Sequence, residues 1–371
     1  MPQVAATISI EDEAVPDLFL SLLEMDVEED HRMAASFRIR VAISRQDDGL
    51  WIFLEDERIK PWAKLTISVT VSDEEQEILT GYITQLKPHI APDENGSYLE
   101  IYGMDPSCLM SLEEKLKVWP NMSDSDIAGQ IFAEYNLIPE VEDTGVIHDE
   151  AVATITQRDT DIQFLQRLAR RNGFECFVSG ESGFFRKPVL DSEPLPYLAA
   201  HFGDETNLIT FDAKLNTLRP TKVEMHQIDT ASKEILDAVI ETGEQTLLGR
   251  DRAETVAAPN GIVPRMYVRH TVAVNQTEME NLCRALFDEA EWFIEAMGEV
   301  ETVLYGAVLR TKSLVPIKGV GEMFSGTYYI TNVKHLFKAD KYTQQFRARR
   351  NAAAPSGDED FGEGGSLLGG L

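Results

Sequence analysis

Apolar and polar positions alternate with period two over several stretches of the first hundred residues. Phe37, Ile39, Val41 and Ile43 alternate with Arg38, Arg40 and Ala42, and Leu65, Ile67, Val69 and Val71 alternate with Thr66, Ser68 and Thr70. Each pattern predicts a strand with one buried face. Further strands are expected at residues 7–10, Gly81–Lys87 and Tyr98–Tyr102, with turns at Asp47-Asp48-Gly49 and Asn95-Gly96. Between the first two, an acidic segment (Glu11 to Asp17) leads into a run that is apolar and then acidic. It bunches Glu28, Glu29 and Asp30 at an expected hairpin tip. These signals define an all-β unit of barrel or sandwich type.

Past Asp105-Pro106 the period lengthens. Leu109, Leu112 and Leu116 predict a short helix ended by Trp119-Pro120. A second helix over Ser123–Tyr135 is capped by its serine and puts Ile127, Ile131, Phe132 and Tyr135 on one face. The next helix is the most fully specified. Thr160 and Gln163 read as a capping box, and Asp161 in the first turn with Arg170 and Arg171 in the last suits the macrodipole. Ile162, Leu165, Leu168 and Ala169 recur at helical spacing, and Gly173 stands where a left-handed stop is expected. Phe174, Cys176 and Val178 then alternate as a strand, and the prolines at 188, 194 and 196 mark a boundary.

Strands return at Ile209–Leu215 and Lys222–Ile228, while residues 230–265 carry no clear pattern. Gln276–Met297 predicts a long helix, with strands at Ala307–Arg310, Thr327–Leu336 and Tyr342–Arg349. The end of the chain is Gly-rich and acidic and is expected to be disordered. Leu367 and Leu368 there offer at most a small docking patch.

Two parts of the chain resemble each other. Tyr82-Ile-Thr-Gln-Leu-Lys87 matches Tyr329-Ile-Thr-Asn-Val-Lys334 by identity or close similarity at every position. Glycines precede both runs (Gly81, Gly326), and a turn and a strand beginning at a tyrosine (Tyr98, Tyr342) follow both. This points to an internal duplication of the β unit.

Charge narrows the classes of function. The 371 residues carry 34 basic and 63 acidic side chains, a net charge of −29, which disfavours a nucleic-acid reader. Solubility accounts for most of these charges; the sharper reading is a surface that faces DNA without holding it. Cys108, Cys176 and Cys283 have no metal or redox spacing and read as buried free thiols. No secretory pattern and no membrane-length apolar run is present. No nucleophile elbow, zinc motif or phosphate loop occurs, and His335 reads as structural because no partner is spaced to share a metal. The expected catalytic, cofactor and metal residues are therefore none.

The run Gln157 to Gly173 fits a Q-x-x-[ST]-D-x-x-F-L-x-R-L-A-x-x-x-G pattern. It resembles the late control D proteins of contractile-tailed phages and the hub portion of VgrG-type spikes. The run from Gly319 to His335 is similar to that family's closing segment. The resemblance implies an α+β, mainly β chain with two tube-like β-barrel domains and an α+β domain between them. The units would be 1–118, 119–205, 206–351 (with the long helix, continuous or discontinuous) and the tail 352–371. It implies a structural baseplate hub rather than an enzyme: a homotrimer adapting a six-fold tail tube to a three-fold spike. Its partners would be a separate spike protein below, a tube or tube-initiator protein above, and baseplate wedge proteins. DNA would pass without specific binding, through a lumen expected to be net negative, with Arg347, Arg349 and Arg350 at subunit or partner contacts. The location would be the virion tail baseplate, assembled in the bacterial cytoplasm with no stable membrane insertion. A hub of a non-viral secretion machine, or a tail-associated peptidoglycan hydrolase, is the alternative.

Overall fold

The computed structural model describes residues 4–93, 96–151, 154–229, 233–257, 261–338, 341–359 and 361. Asn95 of the expected Asn-Gly turn, and Leu367 and Leu368, lie outside them.

The alternating stretches become long strands of one mixed sheet. They are β1 (Val4–Ile10), β2 (Leu22–Asp30), β3 (Ser36–Ala42), β4 (Lys64–Val71), β5 (Glu74–His89), β6 (Tyr98–Met104), β7 (Leu208–Leu215), β8 (Ile294–Glu301), β9 (Gly326–Lys338) and β10 (Lys341–Arg350). Their order is β7-β8-β10-β9-β2-β3-β6-β5-β4-β1, with the short strand Leu314–Lys318 also paired to β9. The chain is thus mainly β with added helices. Within one chain the sheet is an open path rather than a closed barrel.

Two blocks of this sheet share one plan. The first runs β2-β3-β6-β5-β4 and the second β7-β8-β10-β9 followed by Leu314–Lys318, each in the same order of chain and space. The register agrees as well. A one-residue bulge falls between Ile83 and Gln85 in β5 and between Ile330 and Asn332 in β9, at the two matched threonines, Thr84 and Thr331. A second pair of bulges falls between Leu22 and Glu24 in β2 and between Leu208 and Thr210 in β7. A bulge leaves one residue unpaired and bends the strand, so matched bulges impose the same local twist.

Each block buries the apolar face that its alternation predicts. Met25, Val27, Phe37, Ile39, Leu65, Ile67, Leu99 and Ile101 fill the first core; Ile294, Val300, Ile330, Val333 and Phe346 help fill the second. A third core belongs to the α+β unit, whose helices are α1 (Asp124–Glu134) and α2 (Asp161–Asn172). Ser123 caps α1 in a reciprocal capping box with Asp126. The last long helix, α3 (Gln276–Glu291), covers the hairpin of the expected strand Lys222–Ile228 and of Ile235–Ile240, which lies where the sequence shows no clear pattern.

Several expectations are corrected. The helix expected near Leu109–Leu116 is a 3-10 turn over Pro106–Ser111, and Lys117–Trp119 is a strand paired with Ile155–Gln157. Leu112 and Leu116 stay exposed, so their spacing carried no core. The helix expected to reach Met297 ends at Glu291, because Ile294 onward is strand β8. Within that strand Gly298 packs closely, since a Cβ there would sit 2.7 Å from the Thr210 carbonyl oxygen and 2.8 Å from the Phe346 ring. Residues 307–310 are not a strand, although Val308 and Leu309 are buried, and the strand lies at Leu314–Lys318 instead. The start of the expected disordered tail is also ordered. Ala352–Ala353 pair with Asp251–Arg252 and are buried, and Phe361 packs inward with its carbonyl accepting from Lys318 Nζ at 3.1 Å.

Candidate assembly surface

The signature stretch builds a buried polar knot rather than a reactive site. Asp161, at the first turn of α2, is 1% exposed and accepts from Lys115 Nζ at 2.6 Å, Tyr135 Oη at 2.7 Å and Gln157 Nε2 at 2.7 Å. Gln157 Oε1 in turn accepts from Trp119 Nε1 at 3.2 Å. Burial pushes the Asp161 carboxyl up, but these three donors outweigh it and hold the group below its usual range. The glutamine and aspartate of the Q-x-x-[ST]-D pattern therefore fasten both paired strands, the start of α2 and the end of α1 together. The capping box expected from Thr160 and Gln163 does not form: Thr160 makes no side-chain cap bond and its hydroxyl is buried unpaired. Gly173 does take the left-handed conformation, φ 70°, at the end of α2.

The two blocks meet at β9 and β2, antiparallel from Asn332↔Asp30 to Lys338↔Glu24. Below this seam, Tyr329 Oη donates to both oxygens of buried Glu175, at 2.9 and 2.8 Å. Burial raises Glu175 and lowers Lys312, whose Nζ lies 4.2 Å over the Phe177 ring and donates to the Asp30 carbonyl. These contacts tie the α+β unit to the seam.

The arginines near 350 are not available to a partner as expected. Arg350 is fully buried and donates to the carbonyls of Leu248, Ser325 and Ala354. Arg349 is buried against the Trp292 ring and pairs with Glu289 at 3.3 Å. Only Arg347 is exposed. Order in residues 352–354 adds the Ala354 carbonyl to those of Leu248 and Ser325 around this buried cation.

His335 is fully buried with Nδ1 2.7 Å from Tyr342 Oη, and burial lowers its pKa to about 3, so it is a neutral core histidine. Among the described residues no group of three or more His, Cys, Asp or Glu is placed to hold a metal. All three cysteines are free and buried, and among the described residues no helix is long and apolar enough to cross a membrane.

What remains open is backbone. Among the described residues strand β7 pairs only with β8, and the end of β5 from Gln85 to His89 pairs only with β6. A cleft of about 510 Å³, lined in part by Asp212, Lys214, Arg219, Glu289 and Trp292, adjoins the β7 edge. Neither edge was singled out from the sequence; the only signal available there was Pro88, a residue confined to edges within sheets.

Two blocks of one strand plan joined in a single sheet is also the fold of known tail proteins. A 43 kDa tail protein of prophage MuSo2 from Shewanella oneidensis aligns with 94% of this chain and 99% of its own, at TM-score 0.67 and 12% identity. A tail protein from Neisseria meningitidis aligns at TM-score 0.65 and 13% identity, over 94% of this chain and 96% of its own. An Escherichia coli component of the type VI secretion system, described as structurally similar to the T4 tail proteins gp27 and gp5, aligns at 0.56 and 12% over 94% and 76%. The chain thus shares its fold with phage-tail and type VI secretion tail proteins, the class of fold that residues 157–173 led us to expect. The chain matches the family model described as the Alg8 N-terminal domain over residues 2–338, and it belongs to that family. No curated protein matches it by sequence. The late control D name appears in none of these comparisons.

Proposed function

We propose that the protein is a non-enzymatic structural hub of a contractile phage tail or a related injection machine. In this reading it is a homotrimer whose six β blocks, arising by internal duplication, match a six-fold tube above and a three-fold spike below. One observation carries it: a single chain repeats the same five-strand plan, with the same two bulges, and joins the copies edge to edge. Three such chains present six near-equivalent blocks while keeping three-fold symmetry, which is what a joint between the two symmetries needs.

Partners follow from position. The tube-facing contact would be to the tube or its initiator, the opposite contact to a spike, and the rim contact to wedge proteins. DNA or another cargo would pass along the axis. Assembly in the host cytoplasm and residence in the virion baseplate follow for a phage tail, and a secretion machine would use the same geometry.

The test is the mass of the purified full chain in solution, alone and with its spike. We expect three copies per particle. A protein that stays monomeric at its highest soluble concentration, and in the presence of its spike, overturns the reading. Reproducible peptidoglycan or nucleic-acid cleavage by the pure protein would overturn the non-enzymatic part of it.

A further inference from the structure

We infer that a second copy of this chain completes the sheet. Residues Gln85–Ile90 of one copy add antiparallel to Phe211–Asn216 of the next, with Leu86 opposite Leu215, Lys87 opposite Lys214 and His89 opposite Asp212. The inference rests on the trimer reading above and deepens it by naming the contact.

The internal seam supplies the template. In the second block the first half of β9 pairs with Leu314–Lys318 and its second half, from Asn332, pairs with β2 of the first block. In the first block β5 likewise pairs with β4 through Tyr82, and Ile83 still exchanges backbone bonds with Trp62 and Ala63; from Gln85 onward, among the described residues, no strand pairs with its outer edge. The matched bulges align Gln85 with Asn332 and Leu86 with Val333. On the other strand, Glu24 opposite Arg40 corresponds to Thr210 opposite Glu299. Arg40 opposite Glu100 corresponds to Glu299 opposite Gln345, so the two ladders stay in step across four strands. Moving the seam Val333↔Glu29 onto the open edges therefore gives Leu86↔Leu215 and no other register.

Burial argues that these edges lack a partner. Val333, His335 and Phe337 face the core at the internal seam and are nearly inaccessible. Their counterparts on the open edge are Leu86, half-buried, Pro88, exposed, and Ile90, 51% exposed. Opposite them, Met25 and Val27 are fully buried, whereas Phe211 is half-buried and Ala213 is exposed. All of these counterparts are apolar, and stacking one edge on the other would cover them as the seam does.

Two features make the outer seam weaker than the inner one. Pro88 has no N–H to give the ladder, where His335 has one. Lys334 opposes Glu28 at the internal seam, but Lys87 would oppose Lys214. Each lysine already holds a carboxylate on its own side, Glu100 at 3.2 Å and Glu295 at 2.8 Å, which blunts the repulsion. The contact joins unlike surfaces, so it repeats around an axis and can close into a ring.

The test uses the full chain with Lys87→Cys and Lys214→Cys together, oxidised mildly and sized under denaturing conditions; the three native thiols are buried. Opposed residues in an antiparallel pair lie within disulfide reach, so we expect covalent oligomers up to the native copy number. Lys87→Cys with Thr210→Cys, four positions out of register, should stay uncrosslinked. A second measurement is Lys214→Glu, which copies the Lys334–Glu28 arrangement and should lower the dissociation constant about two- to five-fold at low salt, fading as salt rises. A trimer by native mass with no crosslink in the first variant, or crosslinking only in the shifted one, overturns this interface and leaves the hub reading standing. A monomer at every concentration overturns both.

Discussion

Removing the Asp161 carboxylate should unfasten the α+β unit before anything else in the chain. In Asp161→Ala three hydrogen bonds disappear, from Lys115, Tyr135 and Gln157. Lys115 is 23% exposed at its side chain and can turn back to water or to Glu134. Gln157 is fully buried and cannot, so its amide N–H keeps only the Asp159 carbonyl. A neutral bond contributes about 1 kcal/mol, a charge-assisted one about 2, and a stranded buried donor costs about 1 to 3, so the loss should be about 3 to 5 kcal/mol. Asp161→Asn keeps the shape and part of the network and should lose roughly half of that.

The assay is the chemical denaturation midpoint, followed by Trp119 fluorescence and by far-ultraviolet circular dichroism, since units of a multidomain chain can melt apart. The pH dependence gives a second reading. The folded pKa of Asp161 is depressed, so its stabilisation is present above the unfolded value, 3.8, and is lost as pH falls through the folded one. Asp161→Ala should remove that acid limb. A variant within about 1 kcal/mol of the natural protein, with its acid limb intact, would refute the claim that the knot holds the unit together.

Two further substitutions test buried groups that are held under strain or under constraint. Burial raises Glu291 from 4.5 to about 7, while Arg252 at 3.1 Å opposes the shift, so the folded state favours the protonated acid. The Glu291 contribution is then fully present below pH 4.5 and is lost as pH rises through about 7; Glu291→Gln should flatten that slope and raise stability at neutral pH by on the order of 3 kcal/mol at most. Tyr329→Phe removes the hydroxyl that donates to both oxygens of buried Glu175, and should cost about 2 kcal/mol, measured as a shift in denaturant midpoint. Adding Glu175→Gln should recover part of that loss; no recovery would place the hydroxyl's contribution elsewhere.

The strands that line the sheet were legible because period two survives wherever one face is buried. β3 and β4 lie within one residue of the alternating stretches that predict them. The repeat between residues 82–87 and 329–334 was legible too, since a bulge at a fixed threonine constrains the residues around it. Helix ends were not. The apolar run of α3 continues through Trp292, Phe293 and Ile294 without a break, and the change to strand β8 follows from pairing with β7 and β10, which local pattern does not show. Leu112 and Leu116 had helical spacing but no partner to bury them. The seam between blocks, and the open edges that match it, depend on which strand ends lie side by side after folding. Local pattern carries no such information, and the acidic residues Glu24, Asp26 and Glu28 hid a seam strand behind what read as a hairpin tip.

The seam also changes what the chain's acidity has to explain. A ring closed edge to edge has an inner and an outer face, and the core side of this sheet is covered by the rest of each chain, whose bulk has room only outside. In the proposed ring the open face of the sheet would then line the axis. That face carries charges of both signs, and many are already paired: Arg38 holds Asp26 at 2.6 Å and Glu24 at 2.5 Å, Arg40 holds Glu100 at 2.9 Å, and Lys214 holds Glu295 at 2.8 Å. The surplus behind the net charge of −29 lies instead on exposed outer segments such as Glu74–Glu75, Glu140 and Asp149–Glu150. A face paired in this way would offer a passing phosphate few cations to displace counterions for, exposed Arg347 among them, and few unpaired carboxylates to repel it. In the proposed ring the lumen would be nearer neutral than the net negative one expected from the sequence, with low friction from paired charges and the outer acidity serving solubility. Duplex DNA should then pass over the assembled trimer at low salt with little retention, and opening one pair by Glu100→Gln, which frees Arg40 and Lys87, should introduce retention that fades as salt rises. Strong retention by the natural protein, or none by that variant once its fold and trimer are verified, would show that this face does not line the passage.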